Sequence, residues 1–519
     1  MILLLPVLLL LAGAALVGAF RRASSFSLWL MVLGSVFLGW LALLLGSGGR
    51  AGALDVSVWR PERLFSAELV LQLGSAQWEV LYAAATLLIV LVLTAPARDG
   101  EERPSEWALF LVYSSLSLLA MMAGNLLTLS LLLIVLDITC FVFVLQRTGE
   151  GPGGQQAIVK LGVESVGVLL LLTAGLIGTL ERGEGHFAGG ETAALALMLA
   201  LGVGLRIGLV PLPLGLPPDS ASRRSIGALM RLMPPAILLV QLGLQWPAGF
   251  VAAYQGWLIA LGAVAAGSAG LAWAFAVRAL DARAALVACA AGLGLLASGG
   301  VSQGLNAAMS AVAVLLLLAG GLASVAEVHT PFHRIWPAAL AIASLGFPLT
   351  PAGAVLRPLG EGEANWLLGI AIGLGLGLLA AGLGQMTAIQ ETPWRRAEGY
   401  SRLLYGVGLA LCPVAAVGFG LRQGLEISVP ALLGLGASLV SASLAILVRR
   451  MRPEAGLLRA RRFVGWLDAS PLVRALWSLY GGLLAMARGV GTTLEGEGAF
   501  LWVMALVAFV AALLAGNSG

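Results

Sequence analysis

Apolar runs of about 18 residues or more recur from one end of this chain to the other, and a run of that length crosses the hydrocarbon core of a bilayer as an α-helix. Backbone polar groups find no water partner in lipid, so each segment must satisfy them internally. The strands of an outer-membrane barrel alternate in polarity, and these runs do not. Of the 519 residues, 59% are hydrophobic and 11% charged, too little polar surface to coat a soluble protein of this length. The expected fold class is an all-α integral membrane protein with about sixteen transmembrane helices.

The expected spans lie near 1–20, 26–48, 76–96, 105–123, 125–146, 155–180, 192–214, 224–244, 252–277, 284–301, 304–327, 335–356, 365–389, 401–421, 428–448 and 497–515. The first run has no basic residue before it and is followed by Arg21 and Arg22, so it reads as a retained span with the N-terminus outside rather than a signal peptide. Threading the chain from there puts the loops at 21–22, 98–103, 147, 223–224, 278–283, 329–334, 395–396 and 449–452 inside, and those at 181–191, 246–250, 361–363 and 426 outside. Arginines favour the first set, as the positive-inside rule requires, with 50–63 the exception. The chain thus reads as a multi-pass protein of a bacterial-type inner (plasma) membrane with both termini outside.

Two stretches are more polar. Residues 49–75 alternate, which predicts a short outer hairpin. Residues 453–490 mix arginines with Phe463, Trp466, Trp477 and Tyr480, which predicts either an amphipathic helix lying along the cytoplasmic surface before the last span or a helical linker.

Ionisable groups inside spans are rare and functional by default, and six stand out: Asp137, Lys160, Glu164, Arg206, Arg231 and Arg357. Asp137 and Arg206 lie about twelve and fourteen residues into inward-running spans, so both sit roughly 18–21 Å deep, where opposite charges can pair. Such a pair is either a static bond between two helices or part of an ion pathway. Lys160 and Glu164 are one turn apart and can pair, or the lysine can snorkel to the inner surface. Pro211 in the seventh span, Pro234 and Pro235 in the eighth, and Pro348 and Pro351 in the twelfth are expected helix breaks, which at membrane depth line polar cavities. Breaks in spans seven and twelve, five apart, point to two inverted five-helix repeats. The chain then divides into N-terminal spans with the hairpin (1–104), a first repeat (105–245), a second (252–390), peripheral spans (391–452), and the lateral helix with the last span (453–519).

Several chemistries are excluded. Cys140, Cys289 and Cys412 sit singly in apolar runs and read as packing residues. His329 and His333 flank Pro331 in a loop with no third ligand, so they read as solvent-facing rather than as a metal site. No cofactor fingerprint and no basic face for nucleic acid is present, so no catalysis is expected from this chain alone.

These motifs resemble a family. The segment Gly202-Val-Gly-Leu-Arg206-Ile-Gly-Leu-Val-Pro211-Leu-Pro-Leu-Gly-Leu-Pro217-Pro-Asp219 resembles the K-x-x-x-x-P-x-H-x-W-x-P-D stretch of antiporter-like membrane subunits. Such subunits occur in respiratory complex I (NADH–quinone oxidoreductase), membrane hydrogenases and Mrp-type cation/proton antiporters. Gly346-Phe-Pro348-Leu-Thr-Pro-Ala-Gly353 with Arg357 is similar to their twelfth-span break. Ala157-Ile-Val-Lys160 is similar to their sixth-span A-x-x-K-Y, and Asn125-Leu-Leu-Thr-Leu before Asp137 to their fifth span. The resemblance implies proton movement along a midplane axis, with a fifth-span carboxylate paired to a seventh-span base and a twelfth-span charge at the exit. Those roles fall on Asp137, Arg206 and Arg357, with Lys160 on the axis.

This chain departs from the pattern. The family's glutamate position aligns with Ile134, its seventh-span histidine with Pro213 and its eighth-span lysine near Ile237, with Arg231 nearly two turns earlier. Arginines replace the lysines of spans seven and twelve, and an arginine does not release its proton at accessible pH. The resemblance therefore implies a proton- or cation-translocating subunit of a complex I-like assembly, with other membrane subunits and the bilayer as partners. The alternatives are a non-conducting structural subunit and an Mrp-type antiporter subunit. A stand-alone transporter would need a polar substrate cluster that is not visible.

Overall fold

In this computed structural model the described residues are 4–46, 52–56, 69–98, 103–148, 152–182, 193–207, 225–245, 248–276, 282–300, 305–325, 327, 330–360, 366–388, 399–424, 428–451 and 478. The chain divides into two compact units, Met1–Trp466 and Leu467–Gly519, and the description concerns the first. Its helices are α1 Leu5–Ala19, α2 Ser25–Leu45, α3 Ser75–Thr94, α4 Pro104–Met121, α5 Leu126–Thr148, α6 Pro152–Arg182, α7 Ala193–Ile207 and α8 Ser225–Gln245. They continue with α9 Ala248–Ala274, α10 Arg283–Gly300, α11 Leu305–Val325, α12 Ile335–Ala343, α13 Pro351–Leu356, α14 Trp366–Gly384, α15 Gly399–Gln423 and α16 Val429–Met451. Among the described residues nine helices are long and apolar enough to cross a membrane. The protein is a multi-pass α-helical membrane protein.

The helices fall where the apolar runs predict them, with the twelfth expected span divided between α12 and α13. The expected lateral helix and the sixteenth span lie outside the described residues, as does Pro211. Local chemistry sets the starts. Ser24 Oγ accepts from Ser27 N–H at 3.2 Å before α2, and Asn125 Oδ1 accepts from Thr128 N–H at 2.8 Å before α5. Pro104 opens α4, and Glu106 turns back to accept from Arg103 N–H at 3.2 Å.

The expected hairpin is present. Strands β1 (Gly52–Val56) and β2 (Leu69–Leu73) pair antiparallel, with Gly52 opposite Leu73 and Val56 opposite Leu69. The second strand also docks on the turn between α4 and α5. Gln72 N–H donates to Met122 O at 2.7 Å, and Gly124 N–H donates to Val70 O at 2.8 Å. This marks one end of the helix bundle, called here the hairpin end.

Helix α11 runs through the middle, buried without interruption from Ala308 to Val325 and packed against α3, α8, α10, α13 and α15. Exposed leucines and valines, such as Val264, Leu403 and Val440, lie on α9, α15 and α16 at the periphery, where lipid can cover them. The three cysteines are all buried, as packing residues would be.

One expected break is absent. Pro234 and Pro235 lie inside a continuous α8. The two rings deprive the carbonyls of Met230 and Arg231 of their i+4 donors, but a tightly packed membrane helix tolerates such a loss. The twelfth-span break is real. Helix α12 ends where Ser344 Oγ donates back to Leu340 O at 2.8 Å, and Gly346 follows at φ 83°. Leu349 adopts φ 64°, a left-handed conformation that costs a branched side chain about 1–2 kcal/mol. Thr350 then caps α13, accepting from Gly353 N–H at 3.2 Å, with Pro351 as its first residue.

Helix α15 holds this loop in place. A Cβ on Gly420 would lie 1.7 Å from the Leu349 carbonyl oxygen, so only glycine lets the two backbones meet. Gly420→Ala should force the loop or the helix to move and lower stability by about 1–3 kcal/mol, read as a fall in the Tm of the purified protein in detergent.

Candidate functional site

The site begins at the middle of α5. Asp137 is buried there at 6% exposure, one turn from the buried Cys140. Its partner arrives from α7, where Arg206 is buried at 8% exposure near the end of the described helix. Arg206 Nη1 donates to Asp137 Oδ2 at 2.7 Å and Nη2 donates to Oδ1 at 2.8 Å. Two parallel charge-assisted bonds fit the planar guanidinium to the planar carboxylate, and this geometry offsets much of the cost of burying both charges. The two residues placed at equal depth by sequence therefore meet side chain to side chain.

Helix α6 lies between these partners and has to let Arg206 across. It does so at Gly167, where a Cβ would lie 2.7 Å from Arg206 Cγ and 3.1 Å from Gly202 O. Gly202 on α7 reciprocates, since a Cβ there would meet Gly167 O at 2.9 Å. The glycine pair brings α6 and α7 into backbone contact and leaves a groove for the arginine stem. One turn before Gly167, the Glu164 carbonyl accepts a further bond from Arg206 Nη1 at 3.0 Å. Among the described residues Arg206 Nε, also buried, has no hydrogen-bond partner. The fully buried Tyr113 of α4 completes the surroundings, close enough to feel the charges of Asp137, Glu164 and Arg206.

The other expected residues are distributed differently. Glu164 is half-buried on α6, and Lys160 lies one turn earlier in the same helix, its side chain outside the described residues. Arg231 is half-buried on α8, one turn before Pro235. Arg357 lies just past α13, and its Nη1 donates to the Gln423 carbonyl at the end of α15. It therefore belongs to a separate group at the hairpin end.

That group contains a residue the sequence reading passed over. Glu79, the fifth residue of α3, is buried at 6% exposure, and its Oε1 accepts from Gln423 Nε2 at 2.7 Å. Its only sequence signal is a lone acid four residues into an apolar run, where it passes for the interfacial edge of a span.

Two loop expectations change at the opposite end. Arg283 is not a solvent loop residue but the fully buried first residue of α10, its Nη1 donating to Ser324 Oγ of α11 at 3.1 Å. His333 is not solvent-facing either. It is buried edge-on against Tyr405, with ring centroids 5.2 Å apart, and the Tyr405 hydroxyl donates toward the Val325 and Glu327 carbonyls, each at 2.9 Å. Both residues fill the bundle end where helices converge. His329 lies outside the described residues, and no cluster of three metal-ligating side chains occurs among those described.

No protein-family model and no curated protein sequence matches the chain. Its fold does match solved structures. All but 1% of the chain aligns with the whole of a chain from an archaeal respiratory complex, the membrane-bound sulfane sulfur reductase, at TM-score 0.67 and 16% identity. The whole chain aligns with 63% of a chain of the Mrp complex from a Dietzia species, at TM-score 0.68 and 16% identity. It also aligns over 85% of its length with an entire chain of Thermus thermophilus respiratory complex I, at TM-score 0.63 and 16% identity. The chain thus has the fold that the resemblance to antiporter-like membrane subunits implies.

Removing either member of a buried ion pair leaves a stranded charge, whereas removing both does not. Asp137→Ala and Arg206→Ala should each destabilise the protein by about 3–5 kcal/mol, and the double variant by less than the sum of the two, measured as detergent unfolding in a double-mutant cycle. Gly167→Ala should push the arginine stem out of its groove and reproduce most of the Arg206→Ala loss in the same assay. A Gly167→Ala protein as stable as the parent would show that the groove does not seat the arginine.

Proposed function

We propose that this chain is an ion-translocating membrane subunit of a complex I-like assembly, working beside other membrane subunits in a bacterial-type inner membrane. Protons, or a coupled cation, move along a midplane polar axis, and the redox chemistry that drives them takes place in partner subunits. The observation that carries this reading is the bidentate Asp137–Arg206 pair at mid-helix depth, a charged contact that a purely greasy scaffold does not need. The fold shared with chains of respiratory and antiporter complexes supports it.

The roles follow from side-chain chemistry. Arg206 keeps its proton, so it acts as a fixed positive charge. Asp137 is the partner that exchanges the proton. When ionised it holds the guanidinium in the closed bidentate geometry, and when protonated it loses the charge that sustains both short bonds. Glu164, whose carbonyl already binds the same guanidinium, is the neighbouring carboxyl for an onward proton, and Lys160 continues the line one turn along α6. Arg231 lies on the next helix in sequence, α8, and Arg357 serves the far end of the axis.

A second reading, a structural subunit that does not conduct, has its own motive. Between Arg283 and Glu327 the sequence contains no acidic or basic side chain, and Arg357 is engaged with a backbone carbonyl. Ordered water along the whole axis in a high-resolution map would exclude it. An Mrp-type antiporter subunit is the third reading. Proteins that co-purify in mild detergent separate it from the first: peripheral iron–sulfur subunits mark a redox-driven complex, and only antiporter-like subunits mark an Mrp-type one.

The direct test is Asp137→Asn in the assembled complex reconstituted into liposomes. Proton translocation should fall while assembly and redox turnover persist. Parental translocation in a correctly assembled variant would exclude conduction through this site.

A further inference from the structure

At the hairpin end a buried acid is wired to the twelfth-span break by a single turn of helix. The last carbonyls of α15 have no intrahelical donor, and Arg357 supplies one by donating to Gln423 O. Gly424, at φ 81°, ends the helix there. The Gln423 side chain reaches the other way and donates to Glu79 Oε1 at 2.7 Å. Three residues earlier in the same turn, Gly420 rests on the carbonyl of Leu349, the left-handed residue in the break. One turn of α15 therefore touches Glu79 of α3, Arg357 beyond α13 and the loop between α12 and α13.

Glu79 is screened from water without being sealed. Arg422 Nε lies 3.9 Å from its Oε1, and the guanidinium stacks 4.0 Å over the Trp78 ring, with the Arg422 side chain 40% exposed. This arginine is the charged group that faces Glu79 among the described residues, and it sits on α15. Helices α2, α4, α8 and α11, also packed on α3, present no charged partner. Oε2 accepts no hydrogen bond from the described residues.

We propose that Glu79 is a proton-exchange group of the translocation pathway at the hairpin end, and that the last turn of α15 transmits its charge state to the α12–α13 break. The proposal rests on the translocating reading. A hydronium ion gives its proton to the open Oε2, leaving water and a neutral carboxyl, and release runs the same step in reverse. Neutralising the carboxylate removes the charge that strengthens the Gln423 bond and takes the counterion from Arg422. The turn that carries Gln423 and Gly420 then loses its anchor on α3 and can shift against the strained Leu349 loop. Stacked Arg422, swinging off Trp78, is the element that admits water.

The experiment compares Glu79→Gln and Asp137→Asn in the assembled complex in proteoliposomes, following proton translocation against redox turnover as pH is varied on the hairpin side. Glu79→Gln should keep turnover, lose translocation and abolish its dependence on hairpin-side pH. Glu79→Asp, which keeps a carboxyl on a shorter arm, should restore translocation with a displaced pH profile. If Glu79→Gln loses translocation while Asp137→Asn does not, the Glu79 assignment stands and the midplane reading falls. If Glu79→Gln translocates with the parental pH profile, the assignment is wrong, whatever Asp137→Asn does. Should Glu79→Gln fail to assemble, Glu79→Asp decides: a displaced profile supports the assignment and a parental one overturns it.

Discussion

Inside a bilayer every polar group must find its partner within the protein, and the organisation of this chain follows from that constraint. Backbone groups meet it by forming helices. Charged side chains meet it by reaching across helices to carbonyls, hydroxyls or one another, and the bond between Asp137 and Arg206 joins two buried charges. Its geometry dictates the packing around it. Because the guanidinium has to cross α6, that helix carries glycine at position 167, and because α6 and α7 then touch at the backbone, α7 carries glycine at 202. The pair is thus also the reason these helices lie so close together.

The same constraint explains the two ends of the bundle. Where α15 stops, its terminal carbonyls would be unsatisfied, and Arg357 supplies the missing donor. At the opposite end Tyr405 and Arg283 tie the terminus of α11 to neighbouring helices through carbonyl and hydroxyl acceptors. Each is an arginine or tyrosine whose polar tip reaches a helix end while its stem packs among apolar neighbours. The interior of α11 before that anchored end carries no charged side chain and is buried throughout.

Arginine rather than lysine at position 206 has a specific physical meaning here. A lysine would present a point charge able to shed its proton when desolvated, whereas arginine offers a rigid fork that stays charged. At Arg206 the two terminal nitrogens of the fork are taken up by both carboxylate oxygens of Asp137 and by the Glu164 carbonyl. Asp137 and Glu79 are both buried, and each lies within ion-pair distance of an arginine.

The membrane class, the helix positions, the hairpin and the twelfth-span break were legible from residue order, because apolar length, alternation and proline–glycine punctuation are local signals. The depth argument is local arithmetic too, and it puts Asp137 and Arg206 at a level where they can pair. Other features were not legible. Pro234 and Pro235 read as a break because a proline's effect on an isolated helix is local, but the helix persists because neighbours on several sides hold it. Glu79 carries no local signal of its burial, because its partner Gln423 lies 344 positions away. Arg283 and His333 looked like loop residues because exposure depends on where helix ends converge. Sequence alone determined what each segment is. Only the tertiary structure decided which buried polar groups meet, because such contacts join residues whose separation along the chain carries no trace of their proximity in space.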